Sequence, residues 1–271
     1  MNNITLTGAM RSNLLSLQGI SQDVAVTQQR LATGRRVNSA ADDASAYFSA
    51  QQGYNKSEAL NSLKAAMGEG LQKISTALTA SQTATSVLKQ MKSLADQALA
   101  TSDTATRTNL QDQYNQLRTQ LTSITQNDAN YKGTNLLSGT SGNDLTINFN
   151  EDNTSNITIS ATDTTAATYT PAVADFSSTG GITTARDAAS DATTSFQSLA
   201  TTLGSYSSFI KTRQDFTSQL SNIFQTGADD LVNADLNQEG ANMLALQTRQ
   251  QLSVTALSLA SQANQAVLRL F

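Results

Sequence analysis

Residues 60–99, LNSLKAAMGEGLQKISTALTASQTATSVLKQMKSLADQAL, set Leu60, Met67, Ile74, Ser81, Leu88 and Ala95 seven apart. Leu71, Leu78, Thr85 and Leu99 form a second row beside them. A seven-residue repeat on so narrow a stripe is the seam by which helices pack nearly parallel over long distances. The chain's one proline, Pro171, lies far downstream, so nothing in this stretch breaks a helix. A helix from about Asp42 to Leu99 would be on the order of 85 Å long at ~1.5 Å per residue. That is far beyond the helices of ordinary globular domains. The reading is a mainly α protein, a long antiparallel coiled-coil-like helical rod.

The same spacing recurs on either side. Met10, Leu17, Val24 and Leu31 are seven apart, with Leu14 at the +4 position. Leu110, Tyr114, Leu117, Leu121 and Ile124 alternate spacings of four and three. Phe196, Leu203, Ile210, Thr217 and Phe224 repeat at seven, beside Leu199, Tyr206 and Leu220. The middle differs. Leu145, Ile147 and Phe149 alternate with polar residues, and after NEDNTSN so do Ile157, Ile159 and Ala161. This predicts a small β-hairpin inside a loop-rich insert at 131–184.

The C-terminal run from Asn242 puts Leu252, Leu259 and Ala266 on one stripe and Leu246, Leu257, Ala260, Val267 and Phe271 on others, with Leu270 beside the last. Apolar residues on most of a helix's circumference call for neighbours all round. A single N-terminal helix cannot supply them, so other copies of the chain are expected to cover the rest. Met10, Leu14, Leu17, Val24, Leu31, Leu246, Leu252, Leu257, Leu259, Val267, Leu270 and Phe271 are the residues expected at that interface.

Composition excludes much else. The 271 residues carry 14% charged and 5% aromatic side chains, with a net charge of −4. That is no electrostatic footprint for nucleic acid. No histidine is present, which removes the usual general base and the commonest transition-metal ligand. No cysteine is present, which removes thiol catalysis, zinc-thiolate sites and disulfides. No cofactor and no enzymatic activity are expected. The start, MNNITLTGAMRSNLLSLQGI, lacks the basic region and apolar core of a secretory signal. No window is apolar enough to span a bilayer, so no membrane insertion is expected.

Between the first two helical runs lies RLATGRRVNSAADDAS, residues 30–45. Ser39 and Asp42 make the S-x-x-D pattern of a capping box, with Asp42 and Asp43 at the positive end of the following helix. That reading outweighs a catalytic carboxylate pair. Gly34 permits a break, and Arg35 and Arg36 are expected to pair with acids of another segment or subunit. Asp229, Asp230, Asp235 and Glu239 form a second acidic cluster, read as a helix start after Gly227 because its spacing matches no cation loop.

Residues 30–47, RLATGRRVNSAADDASAY, resemble the N-terminal signature of bacterial flagellins, R-L-x-[ST]-G-x-[RK]-[IV]-N-[ST]-A-x-D-[DN]-A. Residues 230–271 resemble the flagellin C-terminus, and YKGTNLLSG at 131–139 resembles the segment that follows the paired helices. The compact insert is similar to that of alphaproteobacterial members. The resemblance implies a filament-core domain (D0) of residues 1–35 and 232–271, and spokes at 36–41 and 229–231. It implies a D1 rod of 42–130 and 185–228, with the 131–184 insert projecting outward. Gly34, Arg35, Arg36, Ser39, Asp42 and Asp43 would then form the spoke and helix cap.

The implied function is a filament subunit for motility, exported unfolded through the flagellar type III route. The implied partners are other copies of itself, an export chaperone, the filament cap, hook–filament junction proteins and other flagellin paralogues. A hook–filament junction protein of the same superfamily is the alternative. The family's Toll-like receptor surface reads Q-R-V-R-E-L-A-V-Q-A where this chain has KQMKSLADQA at 89–98. Leu94 is kept, but Gln90 stands in place of the receptor-binding arginine and Gln113 in place of a glutamate. Weak or no receptor activation is expected, because the guanidinium's charge-assisted bonds are lost.

Overall fold

The computed structural model describes residues 8–268 except 141, and all their side chains except those of 9 and 264–268. The elements run α1 (Gly8–Thr33), α2 (Ala44–Ala100), α3 (Thr104–Ser123), a π-helical turn (Ile124–Asp128), β1 (Leu145–Asn148), β2 (Asn156–Ile159), α4 (Thr179–Val232) and α5 (Leu236–Leu268). This is the mainly helical class expected, with one two-stranded antiparallel sheet. Two units are distinct: residues up to Lys56 together with those from Ile223 onward, and Ser57–Asn222.

In the larger unit the seven-residue row is the core. Leu60, Met67, Ile74, Ser81, Leu88 and Ala95 are all buried, as are Phe196, Leu203, Ile210 and Thr217 of α4. Ser81 is tolerated there because its hydroxyl donates to the Ala77 carbonyl at 2.8 Å. α2 and α4 run antiparallel. The Ser57 and Ser221 hydroxyls meet at 2.8 Å, and Lys64 Nζ donates to Ser218 Oγ at 3.0 Å. Gln214 Nε2 donates to the Lys64 carbonyl at 3.2 Å.

α3 folds back on α2 through a three-residue connection. Asp103 caps it by accepting from Thr106 N at 2.8 Å. Arg107 Nε donates to the carbonyls of Ala98 and Thr101. One guanidinium thereby satisfies acceptors that the end of α2 leaves open. Tyr114 is fully buried, donates to the Ala185 carbonyl at 2.8 Å and sets its ring edge-on to Phe176.

The hairpin expected from the alternation is present, and it pairs Leu145 with Ile159 and Ile147 with Ile157. Thr146 and Thr158 share a hydroxyl contact at 3.1 Å on the exposed face. The buried face lies on α2 at Gly70, where any Cβ would collide with the Ile147 side chain. Asn135 anchors the approach. Its amide donates to the carbonyls of Thr125 and Gln126, and its oxygen accepts from Leu137 N at 2.8 Å. The segment before α4 is held to α3 by Arg118 on the Pro171 carbonyl, Asn115 on Ala174 N and Gln111 on Phe176 N.

α4 begins six residues before the expected 185. Ser178 Oγ accepts from Gly181 N at 3.1 Å, the N-cap geometry. The Gly180–Gly181 pair that reads as loop in the sequence is the first turn of the helix.

Candidate assembly site

The smaller unit is built on α1 and α5. Arg30 near the end of α1 meets Glu239 in the first turn of α5 at 3.1 Å. Asp23 and Arg249 line the same groove further along, so the two helices run antiparallel.

At the Arg30 end the chain crosses the joint twice, and the two crossings bond to each other. α1 ends on Gly34, whose φ of +70° is a conformation that side-chain-bearing residues rarely adopt. Its N–H donates back to the Arg30 carbonyl at 2.8 Å. Beyond it, the N–H groups of Arg36 and Val37 both donate to the Val232 carbonyl, and Ala234 N donates to the Gly34 carbonyl at 2.9 Å. Arg35 and Asn233 form an isolated antiparallel bridge. Val37 is buried with Ala50, Ala228 and Val232, flanked by Tyr47 and Tyr54. Tyr54 donates to Asp229 Oδ1 at 2.7 Å.

The caps differ from the expected pattern. Asp42 does reach back to the backbone N–H groups of Asn38 and Ser39, each at 2.9 Å. Those bonds hold its carboxyl below the ordinary value of 3.8. Ser39, however, is a donor to Asp42 and caps nothing. Residues 39–42 form a single turn that stops, and α2 starts at Ala44 with Asp43 Oδ1 accepting from Ala46 N at 3.0 Å. The helix dipole is thus met by Asp43.

The second acidic cluster is dispersed. α4 runs straight through Gly227 to Val232, so no helix starts there. The spacing of Phe224, Ala228 and Val232 carries the signal that the helix continues. Asp235 caps α5, accepting from Asn237 N and Gln238 N. The joint's acid–base pair is Arg30 with Glu239. Arg36 instead donates to the Leu231 carbonyl at 2.9 Å.

Of the residues expected at an interface, Met10, Leu17, Val24, Leu31, Leu246 and Leu257 are half-buried between α1 and α5 or along their edges. Leu14 is 37% exposed, and Leu252 and Leu259 are each 65% exposed. Leu15 and Leu244, absent from the expected set, are as exposed as these. Val267, Leu270 and Phe271 lie outside the described side chains. In the larger unit, Gln90, Leu94 and Gln113 come together on one shallow groove between α2 and α3, with Gln97, Gln116 and Gln120. Its polar lining is glutamine amide and the Ser93 hydroxyl, not charge.

Residues 2–142 match the bacterial flagellin N-terminal helical region, and residues 187–271 match the bacterial flagellin C-terminal helical region. The chain belongs to the bacterial flagellin family. Flagellin FljK of Caulobacter vibrioides is 32% identical over all of this chain and 99% of its own length. A flagellin of Brucella melitensis is likewise 32% identical, with the same coverage. The crystal structure of Bacillus cereus flagellin shares the fold, with a TM-score of 0.51 at 22% identity over 58% of this chain and 91% of that one. The flagellin signature at 30–47 therefore coincides with the crossing built on Gly34, Val37 and Asp43.

Proposed function

We propose that the chain is the structural subunit of a flagellar filament, an extracellular helical polymer of many copies. The observation that carries this is the pair of helices α1 and α5, which leave Leu15, Leu244, Leu252 and Leu259 largely exposed in a family of structural proteins. Covering one such side chain contributes about 1.5–3 kcal/mol, so a few per copy drive association against the entropy of ordering. Residues 1–35 and 232–271 form the filament core in this reading, and the crossing at 36–43 joins it to the D1 helices. The insert, which ends where α4 begins at Thr179, faces outward.

The chain travels unfolded through the flagellar export route, with a chaperone before export and the cap and junction proteins at the filament ends. The glutamine groove at Gln90, Leu94 and Gln113 activates the Toll-like flagellin receptor weakly or not at all. Among the described residues no helix is long and apolar enough to cross a membrane.

Sedimentation and negative-stain imaging of the purified chain, with and without short filament seeds, tests the reading. Long filaments of uniform width are expected from the intact chain, and none from a chain lacking residues 1–35 and 236–271. A soluble monomer or short closed oligomer that ignores seeds would favour the junction protein.

A further inference from the structure

Among its described residues, the larger unit exposes few large apolar side chains: Val173, Phe209 and Phe216. Phe209 and Phe216 stand seven apart on α4, 46% and 54% exposed, and so share one face. Arg213 lies between them on that face. Its guanidinium is 4.7 Å from the centre of the Phe149 ring and 5.9 Å from that of Phe216. Phe149 in turn meets Phe209 edge-on. The foot of the hairpin thus props two exposed rings and a cation into one knob, and aromatic rings with an arginine among them are what anchor protein interfaces. Elsewhere on the same unit, α2 and the π-helical turn enclose a groove of about 410 Å³ lined by Thr76, Thr79, Ala80, Thr83, Ile124 and Asp128 among others. Resting on the filament reading, we propose that the Phe209–Arg213–Phe216 face of one copy seats in this groove of a second copy, with Arg213 directed at Asp128.

Charge favours the second copy as occupant. Asp128 is exposed and is the last residue of the π-helical turn that continues α3. A carboxylate there faces the negative end of the helix dipole, so within one copy it works against the helix. A cation arriving from outside reverses that, and Arg213 is the cation at the centre of the knob. Spacing agrees, because residues seven apart are how one helix lies along another. Symmetry agrees too. Knob and groove are different parts of one unit, so the contact is head-to-tail, and such a contact builds an open helical polymer when it does not close. It also fixes a stagger. Gln214 Nε2 bonds the Lys64 carbonyl, which sets Arg213 level with about that turn of α2. Thr79 in the groove is fifteen residues further along α2, about 22 Å at ~1.5 Å per residue. Copies pointing the same way are therefore offset by about 20 Å where they touch.

The test compares the unchanged full chain with Phe216→Ala and with Asp128→Lys in seeded growth. For each, the concentration needed for growth is expected to rise about tenfold or more, as when an anchor is removed from an interface. The unassembled Asp128→Lys chain is expected to match or exceed the unchanged chain in thermal midpoint, because a cation suits a helix C-terminus. A merely structural role for Asp128 would lower it. The chain has no cysteine, so introduced thiols report the contact directly. Copies carrying Thr212→Cys, beside Arg213, are co-assembled with copies carrying Thr79→Cys, in the groove, and joined with a short bismaleimide. Peptides linking 212 to 79 are expected. Growth of either variant at the unchanged concentration overturns the proposal. So do links of 212 to 212, grown filaments without links, or a lowered midpoint for Asp128→Lys. If the unchanged chain and both variants form filaments alike, this contact alone fails. If the unchanged chain forms no polymer at all, the filament reading itself fails, and this contact with it.

Discussion

Asp42 and Asp43 are neighbours of identical chemistry with different tasks, and the difference is backbone geometry. Asp43 stands where the first turn of α2 presents the Ala46 N–H, whereas Asp42 looks back to Asn38 and Ser39. Asp43→Ala is expected to cost about 0.5–2 kcal/mol, typical of a lost N-cap, in thermal unfolding followed by circular dichroism. Asp42, Asp103, Asp163, Asp175 and Glu69 all have carboxyl groups depressed by hydrogen bonds. A depressed acid contributes stability that is present above its unfolded value and lost as pH falls through the folded one. With no histidine in the chain, stability is expected to be flat from about pH 5 to 8 and to fall below about pH 4.

Tyr114 sets the alkaline limit. Burial raises its hydroxyl from 10.0 to about 12, so its contribution is complete below 10 and lost as pH climbs toward 12. In an absorbance titration the step that Tyr114→Phe removes should lie well above pH 10, together with loss of helicity. A step near pH 10 would contradict its burial.

Among the elements, α2 shows how closely a helix and a hairpin can approach. Gly70 lies inside this long helix, where glycine costs about 1 kcal/mol against alanine. The structure assigns it a task, because Ile147 occupies the space of its Cβ. Gly70→Ala is therefore expected to lose about 1 kcal/mol or more in denaturant unfolding despite the better helix former, since overpacking costs about 1–3 kcal/mol. Stabilisation by this substitution would show that the hairpin slides without penalty. The strands themselves were legible from their alternation. The start of α4 was not, because a Ser-Thr-Gly-Gly run carries both loop and N-cap signals, and only the Ser178–Gly181 bond separates them.

For the whole molecule, the decisive contrast is between two kinds of apolar row. Leu60, Met67, Ile74 and Leu88 are buried within the chain, whereas Leu252 and Leu259 are not. A double change of Leu252 and Leu259 to Ser is expected to alter the unassembled chain's stability by no more than about 0.5 kcal/mol per site, as for exposed positions generally. Seeded filament growth should nevertheless be lost. Retention of growth at the unchanged concentration would place the interface elsewhere.

The sequence by itself determined the helical class, the seven-residue core rows and the presence of the β-hairpin. It also determined the place of the break at residues 30–45 and the family. Those features repeat or alternate along the chain, and periodicity is a local property that survives in one dimension. Only the tertiary structure decided that Asp43 is the cap, that α4 passes through Gly227, and that Arg30 reaches Glu239. Each of these depends on which backbone group or side chain arrives from a distant part of the chain. For Arg30 and Glu239 that distance is 209 residues, and no local spacing records it.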